Sequence, residues 1–180
     1  MSINSFAESL RASGPAPEYD SKLMLYGQFV GSWEAEAHWL LPDGTTRLHY
    51  WQIHFAWVLE GRAIQDVWIT PPRHGLHSNS GIEPWGKFGN QYGTTLRVYD
   101  PGSDAWHVTY IEPYSCSRVT LVGRLVSGRI VQEGNGSDGS HLRWVFSDIA
   151  SDSFRWHAEV SRDDGATWRR ALEMVARRTD

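Results

Sequence analysis

The sequence predicts an all-β protein, an antiparallel up-and-down β-barrel of nine or ten strands with a short N-terminal helix. From residue 31 onward, apolar and polar residues alternate in runs rich in aromatic and β-branched side chains, which is typical of half-buried strands. Short clusters of Gly, Pro, Asp and Ser join most of these runs and indicate tight turns. Closing such a meander into a barrel hides both edge strands, so the barrel is favoured over a Greek-key sandwich.

The N-terminal segment precedes the strand pattern. We assign residues 1–30 to an arm with a short helix and residues 31–180 to the barrel domain. Pro15 and Pro17 interrupt any long helix in the arm. Ser21 is a candidate N-cap for a helix that ends before Gly31. We expect this helix to plug one end of the barrel, and a lid over the opening is the alternative.

The predicted strands follow one another along the rest of the chain. Those before residue 140 cover residues 33–40, 47–59, 62–70, 92–99, 105–112, 118–125 and 129–134. Residues 141–177 contain three further runs, separated by turns at residues 150–152 and 162–165. Register matters here, because a slip of one residue would turn every side chain of a strand to the other face.

The last of these turns carries a Ser-x-Asp-x-Gly-x-Thr-Trp box over residues 161–168. Asp163 is expected to accept backbone N–H bonds inside the turn, and Gly165 can adopt a positive φ. Trp168 is predicted to re-enter the sheet and point at the core. The box is similar to the turn repeated in sialidase propellers, but one copy without blade repeats indicates a structural hairpin.

Residues 71–91 interrupt the strand pattern with a long stretch that is rich in Pro and Gly. A loop of this length in a compact domain is usually a functional lid or a mobile segment. Trp85 and Phe88 give the loop apolar surface that can lie on a ligand. The sequence therefore predicts a flap over one mouth of the barrel, with Trp85 in contact with the ligand.

Aromatic residues are unusually frequent, with 10 Trp, 7 Tyr and 6 Phe. Each Trp buries a large area and carries an N–H group that needs a hydrogen-bond partner. This density is typical of two arrangements, a core filled by the protein's own rings and an aromatic-lined cavity. We favour the cavity and keep the filled barrel as the competing interpretation.

Charge and cysteine content argue against several classes of protein. A net charge of −4 without a basic stripe gives no reason to expect nucleic acid or a membrane surface as a partner. Cys116 is the sole cysteine, which excludes an internal disulfide. His74 and His77 lack an obvious third ligand, so neither a metal nor a cofactor is expected. Without an apolar run near ~20 residues, the chain is predicted to be soluble and cytoplasmic.

Gly31-Ser32-Trp33 begins the first strand after a short helix, and the last strand ends on Arg177 and Arg178. This plan resembles that of the calycins, the barrels of lipocalins and fatty-acid-binding proteins. The resemblance implies that Trp33 closes the base of the barrel and that Arg177 or Arg178 packs over it. Residues 92–100 and 152–156 also look like those of an uncharacterised bacterial family of calycin-like proteins, which implies the fold and no activity.

Polar and aromatic residues alternate on the strands that flank the long loop. Asp66 alternates with Trp68, and Arg97 shares a strand face with Tyr99. If these faces point inward, the lumen combines apolar walls with a few oriented polar groups, as ligand pockets do. We therefore predict that the lumen binds a small, largely apolar or aromatic molecule. The predicted ligand-binding residues are Trp68, Trp85, Arg97, Tyr99 and Tyr110.

An enzyme in the same cavity is the alternative function. His157, with Glu159 or Asp66, would transfer a proton in an isomerase, cyclase or lyase if these groups meet in the lumen. The competing interpretation places the face of His157 outside, together with Arg143, Arg155, Glu173 and Arg177. Haem binding through His157 is a third hypothesis, implied by the calycin resemblance to nitrobindins, whose motif has further glycines that are missing here.

The run over residues 50–58 carries aromatic or apolar residues on both of its faces. Monomeric soluble proteins rarely expose large contiguous apolar patches. A homodimer is therefore predicted, and a small-molecule ligand is the other expected partner.

Overall fold

A computed structural model describes residues 3–74 and 90–180 of the chain. In these ranges two α-helices and a 3-10 turn precede the β-strands. The helices are α1 (Ile3–Leu10) and α2 (Asp20–Gly27), and the 3-10 turn is Pro17–Tyr19. The strands are β1 (Gly31–Leu40), β2 (Thr46–Val58), β3 (Ala63–Thr70), β4 (Gln91–Asp100), β5 (Ala105–Glu112), β6 (Ser117–Val126), β7 (Arg129–Asn135), β8 (His141–Ser147), β9 (Ser153–Ser161) and β10 (Arg169–Arg178).

The strands β1–β10 form one closed antiparallel barrel. Every strand pairs with its neighbours in sequence, and β1 also pairs with β10. Ala35 illustrates the closure, because it lies opposite Trp51 of β2 and opposite Ala176 of β10. Closure leaves each of these strands paired on both sides, so no sheet edge is open to another chain. The predicted up-and-down barrel is confirmed.

Side chains alternate between the lumen and the outer face along each strand. On β2, Trp51, Ile53 and Phe55 point into the lumen and are at most 3% exposed. Gln52 and His54 lie between them on the outer face, where the Nδ1 of His54 is 3.0 Å from the hydroxyl of Ser32. Trp51, Phe55 and Trp57 of this run are therefore turned inward, whereas Tyr50 lies half-buried on the outer face. β2 does not supply the two-sided apolar surface from which the homodimer was predicted.

α2 closes one end of the barrel, in line with the sequence prediction. Leu23 and Tyr26 of α2, and Phe29 directly after it, are at most 1% exposed. The ring of Tyr26 packs edge-on against Trp106 of β5, with the two ring centroids 4.8 Å apart. Ser21 is not the N-cap, because the 3-10 turn runs directly into a helix that begins at Asp20.

The N-terminal arm contains more helix than the single turn that its sequence indicates. α1 extends over eight residues, and the chain after it runs beside the end of β2. There the N–H of Ala12 donates to the carbonyl of Trp57 at 2.9 Å, and the N–H of Leu59 donates to the carbonyl of Leu10 at 2.9 Å. No helix in the described ranges is long and apolar enough to cross a membrane.

Trp33 and Arg178 join the first and last strands at the end that α2 covers. The indole N–H of Trp33 donates to the carbonyl of Phe29 at 2.7 Å. The guanidinium of Arg178 lies 4.2 Å from the centre of the Trp33 ring. It also donates to the carbonyls of Val30 at 2.8 Å and Gln28 at 3.0 Å. Of the two candidates for this role, Arg178 therefore packs over Trp33 and Arg177 does not.

The β9–β10 turn has the hydrogen bonds that its box predicts. The carboxylate of Asp163 accepts the N–H of Thr167 at 2.8 Å and the hydroxyl of Ser161 at 2.8 Å. Gly165 has a φ of +83°. Trp168 differs from the prediction, because it lies before the first residue of β10 and half-buried on the outer face, where the guanidinium of Arg143 lies 3.8 Å from its ring centre. It does not point at the core.

Candidate functional site

The lumen contains a cavity of about 160 Å³ in its half away from α2. Tryptophans from five strands, together with Tyr110, form much of its wall. These tryptophans are Trp39, Trp51, Trp68, Trp144 and Trp156. The rest of the lining includes Thr95 and Arg97 of β4 and Leu172 of β10. The cavity therefore has mostly aromatic walls with a small number of polar groups, which is the usual composition of a ligand pocket.

Small residues at two register positions leave room for the large rings. Ala158 of β9 lies between Trp144 of β8 and Leu172 of β10, so a short side chain faces the cavity there. Gly93 of β4 lies opposite Trp68, and a Cβ on Gly93 would come within 2.5 Å of the Tyr110 ring. The space thus exists because strand pairing alternates large and small side chains on the inward face.

The aromatic walls form a chain of ring contacts around the lumen. The ring centroids of Trp51 and Trp68 are 6.1 Å apart, and those of Trp68 and Trp156 are 5.4 Å apart. Trp156 contacts Trp144 at 5.8 Å, and Trp144 contacts Tyr110 at 5.4 Å. Most of these pairs are edge-to-face, the arrangement that the ring quadrupoles favour. Such mutual contacts fix the orientation of each ring and keep the cavity pre-formed.

A buried ion pair lies beneath the cavity. Nη1 of Arg97 donates to Oδ2 of Asp66 at 2.5 Å, and the N–H of Thr95 donates to Oδ1 of the same carboxylate at 2.8 Å. The guanidinium also lies over the rings of Tyr26 and Phe55, at 5.0 and 5.6 Å from their centres. Since β3 and β4 pair with Asp66 opposite Thr95, strand register alone brings these groups together. Arg97 is the member of the pair that lines the cavity.

Several buried polar atoms in the lumen have no hydrogen-bond partner within the described part of the chain. At the cavity they are Nε1 of Trp51 and Nε1 of Trp68. Nearer to α2 is the side-chain amide of Gln132. Folded proteins pair the great majority of their buried polar groups, so each such atom calls for a partner such as ordered water or another bound molecule.

Tyr110 and Glu112 set the electrostatics at the open end of the cavity. Burial raises the pKa of the Tyr110 hydroxyl well above its ordinary value, and the negative charges of Glu112 and Asp66 raise it further. Burial also acts to raise the pKa of Glu112. Hydrogen bonds from the hydroxyl and N–H of Ser115 and the N–H of Tyr114 outweigh that effect, so the pKa of Glu112 is lowered. Tyr110 is thus neutral and Glu112 ionised near neutral pH.

Three of the predicted ligand-binding residues line the cavity. They are Trp68, Arg97 and Tyr110. Tyr99 lies at the α2 end instead, where its hydroxyl donates to Asp104 at 2.6 Å and its ring packs against Tyr19 at 5.7 Å. Trp85 is outside the described residues, and its contact with a ligand stays a prediction.

The predicted proton-transfer groups do not meet in the lumen. Asp66 lies inside the barrel, but His157 and Glu159 lie on the outer face of β9, where they alternate with the inward Trp156 and Ala158. Nε2 of His157 is 3.5 Å from Oε1 of Glu159. Partial burial lowers the pKa of His157. The expectation of a lumen acid–base site that contains His157 is therefore wrong, since the face of His157 is the outer one.

Haem ligation through His157 does not fit this arrangement. An axial imidazole has to face the space that holds the porphyrin, and the imidazole of His157 faces away from the lumen. His49 of β2, on the same strand face as Trp51, is the histidine in the described ranges that points inward. No group of three or more His, Cys, Asp or Glu in these ranges is placed to hold a metal ion.

Two solved structures are similar to this barrel. The S-type phycobiliprotein lyase CPES from Guillardia theta matches with a TM-score of 0.58 and 11% identity, covering 87% of this chain and 92% of that chain. Rv2717c from M. tuberculosis matches with a TM-score of 0.58 and 15% identity, covering 92% of this chain and 99% of that chain. The fold is a calycin-like barrel.

No family model and no curated protein matches the sequence. At 11% and 15% identity the two structures show the fold alone. The calycin resemblance of the sequence is confirmed at the level of the fold, whereas membership of a bacterial family stays a prediction. What the protein does has to be argued from the cavity itself.

Sequence reasoning missed four of the tryptophans that line the cavity. Trp51 shares the inward face of β2 with Ile53 and Phe55, so the alternation of that strand was the available signal. Trp144 and Trp156 lie on the strand faces opposite Arg143 and His157, and alternation alone does not show which of these faces is the lumen. Trp39, near the end of β1, is half-buried and is seen to face the cavity only once the barrel closes.

Proposed function

We propose that this barrel binds a small, flat aromatic molecule in the cavity of its lumen. The observation that carries the proposal is the cavity wall, in which five tryptophans and Tyr110 surround unfilled space. An aromatic ligand can make offset-stacked or edge-to-face contacts with these rings, which are more favourable than burial of the same area alone.

The volume of the cavity limits the size of the ligand. An engineered apolar cavity of about 150 Å³ in another protein stays dry and accepts benzene. The 160 Å³ found here therefore accepts a ligand built on one aromatic ring with a small substituent. Drug-sized ligands need pockets of roughly 300 Å³ or more.

Unfilled space in a protein interior is destabilising and needs a reason. Interiors are normally packed as densely as organic crystals. Atoms that line unfilled space lack the dispersion contacts that a filled core would give them. A ligand that occupies the space restores those dispersion contacts. This argument favours a binding cavity over a barrel filled by its own side chains.

Catalysis by acid–base chemistry has less support than binding. Asp66 is the lumen carboxylate of the predicted catalytic set, and it already accepts from Arg97 and from the N–H of Thr95. A general base needs a carboxylate within hydrogen-bond reach of the substrate proton. Since both oxygens of Asp66 are engaged beneath the cavity, we infer binding as the function.

Filling the cavity from within tests the proposal. Ala158→Leu adds a larger apolar side chain to the cavity wall without removing any contact. Ala56→Leu makes the same change on the exposed outer face of β2. We expect calorimetric titration with ethylbenzene to show saturable binding to the unmodified protein and to Ala56→Leu. The affinity of Ala158→Leu should be at least about tenfold lower, because about 1.4 kcal/mol of lost contact suffices.

Two results would contradict this function. One is the absence of saturable binding of ethylbenzene to the unmodified protein. The other is equal affinity of Ala158→Leu and Ala56→Leu, which would place any bound ring outside the cavity. Circular dichroism and thermal unfolding of both variants show whether the barrel is intact in each measurement.

A further inference from the structure

The unpartnered polar groups at the cavity are all hydrogen-bond donors. Nε1 of Trp51 and Nε1 of Trp68 are buried without an acceptor among the described residues, and both side chains line the cavity. Arg97 also lines it, but its guanidinium interacts with Tyr26 on the α2 side. The buried acceptors on the α2 side, Oε1 of Gln132 and the hydroxyl of Tyr26, belong to residues that do not line it. An N–H can be satisfied here only by an oxygen or nitrogen acceptor that enters the cavity.

The fixed charges near the cavity disfavour an anion. The charge of Arg97 is already balanced by Asp66. Glu112 carries a further negative charge close to Tyr110 and forms no ion pair with a described residue. Among the described residues, a carboxylate ligand would therefore lose its hydration next to two carboxylates without gaining a free cation. An acceptor without charge avoids that penalty and can still satisfy the donors.

We propose that the lumen selects neutral aromatic molecules that carry a carbonyl-type oxygen. The oxygen accepts a hydrogen bond from Trp51 or Trp68, and the aromatic ring packs among the indoles. This inference rests on the proposed function and adds the chemical class of its ligand. It requires a preformed donor on a fixed ring, which the edge-to-face contact between Trp51 and Trp68 provides.

Three probes of similar size separate ring, acceptor and charge. Ethylbenzene supplies the ring alone, acetophenone adds a neutral carbonyl, and benzoate carries an anionic carboxylate. The Kd of each is measured by ligand-observed NMR at pH 7. Ethylbenzene and acetophenone differ in their hydration in water, so their Kd values are not compared directly. The ratio of the two Kd values is compared between the unmodified protein and each variant. We expect benzoate to bind at least about tenfold more weakly than acetophenone.

Variants that keep the ring and remove the donor carry the decisive comparison. Trp51→Phe/Trp68→Phe deletes both indole N–H groups. Trp156→Phe is the matched control, since Trp156 lines the same cavity and its nitrogen is not one of the unpartnered donors. In the double variant the preference for acetophenone over ethylbenzene should fall about fivefold or more, the scale of one lost hydrogen bond. In the control the ratio should stay within about twofold.

Each outcome has one meaning. A ratio that is the same in the double variant and in Trp156→Phe overturns the inference, and so does benzoate binding more tightly than acetophenone. If ethylbenzene binds while the ratio does not respond, the proposed function stands and only the ligand class is wrong. If none of the probes binds the unmodified protein, the proposed function itself fails. Should the double variant not fold, Trp68→Phe alone is used, and the inference then requires the same fall in the preference for acetophenone over ethylbenzene.

Discussion

Asp66 and Arg97 form an ion pair inside the barrel, on neighbouring strands and almost completely removed from water. Their side chains are 0% and 2% exposed. Removing two charges from water costs free energy, so such a pair contributes little net stability. A single buried charge without its partner would destabilise the fold strongly. The pair therefore links β3 and β4 without being a large source of net stability.

Replacing Arg97 alone should destabilise the barrel strongly. Arg97→Met leaves the buried carboxylate of Asp66 without its cation, and we expect the free energy of unfolding to fall by ~3–5 kcal/mol. Asp66→Leu/Arg97→Met replaces both charges by apolar groups and should recover most of that loss. Urea denaturation of the unmodified protein and of the two variants measures the free energy of unfolding of each. Equal losses in the single and double variants would mean that the carboxylate of Asp66, once left without Arg97, carries no penalty. For the same reason, substitution of Arg97 is not a clean probe of ligand binding.

The packing of Arg178 over Trp33 gives a second prediction. Arg178 donates to the carbonyls of Gln28, Val30 and Ser151 and lies over the indole ring, so it links the chain before β1 to the last strand. Arg178→Ala should lower the free energy of unfolding by about 2–4 kcal/mol, from charged hydrogen bonds and the cation–π contact.

Arg177 provides the matched control for this measurement. It is exposed on the outer face, opposite Glu34, and forms no ion pair with a described residue. Arg177→Ala should change the free energy of unfolding by less than about 0.5 kcal/mol. Similar losses from the two substitutions would mean that general charge, and not the contact with Trp33, explains the effect of Arg178.

The fold could be predicted from the sequence because its signals are local. Period-two alternation and tight turns specify antiparallel neighbours, and closure follows from the need to pair the edges. The choice between Arg177 and Arg178 could not be made in this way. It depends on register, in which Arg178 lies opposite Trp33 and Arg177 lies opposite Glu34. A shift of one residue would exchange their roles.

The candidate site could be predicted only in part. Trp68 and Arg97 were assigned correctly to the cavity wall, because alternation placed both on inward faces near the long loop. Tyr99 shares the face of Arg97 but lies farther along β4, and only the tilt and stagger of the closed barrel show that it belongs to the α2 end. The face of His157 could not be assigned from the sequence, since a strand with polar groups on one face and aromatic rings on the other does not by itself show which face is inside.

The predicted homodimer remains to be tested, with other exposed apolar residues as its basis. Leu48, Ile111 and Leu125 expose 48%, 50% and 61% of their area, whereas Trp51, Phe55 and Trp57 of β2 point inward. Burial of exposed apolar side chains favours association. Light scattering at micromolar concentration should give about twice the chain mass of 20.5 kDa. A mass of 20.5 kDa across that range would establish a monomer.

Acid should loosen the β9–β10 turn through Asp163. Hydrogen bonds from Thr167 and Ser161 lower the pKa of its carboxyl from 3.8 to about 2. A pKa that is lower in the folded state stabilises the fold above pH ~4, and this contribution is lost as the pH falls towards 2. The urea midpoint should thus drop between pH 4 and 2, and Asp163→Asn should drop less over that interval. Asp164→Asn, at the exposed neighbouring position, should follow the unmodified protein. If Asp163→Asn keeps the full pH dependence, the acid sensitivity arises elsewhere in the barrel.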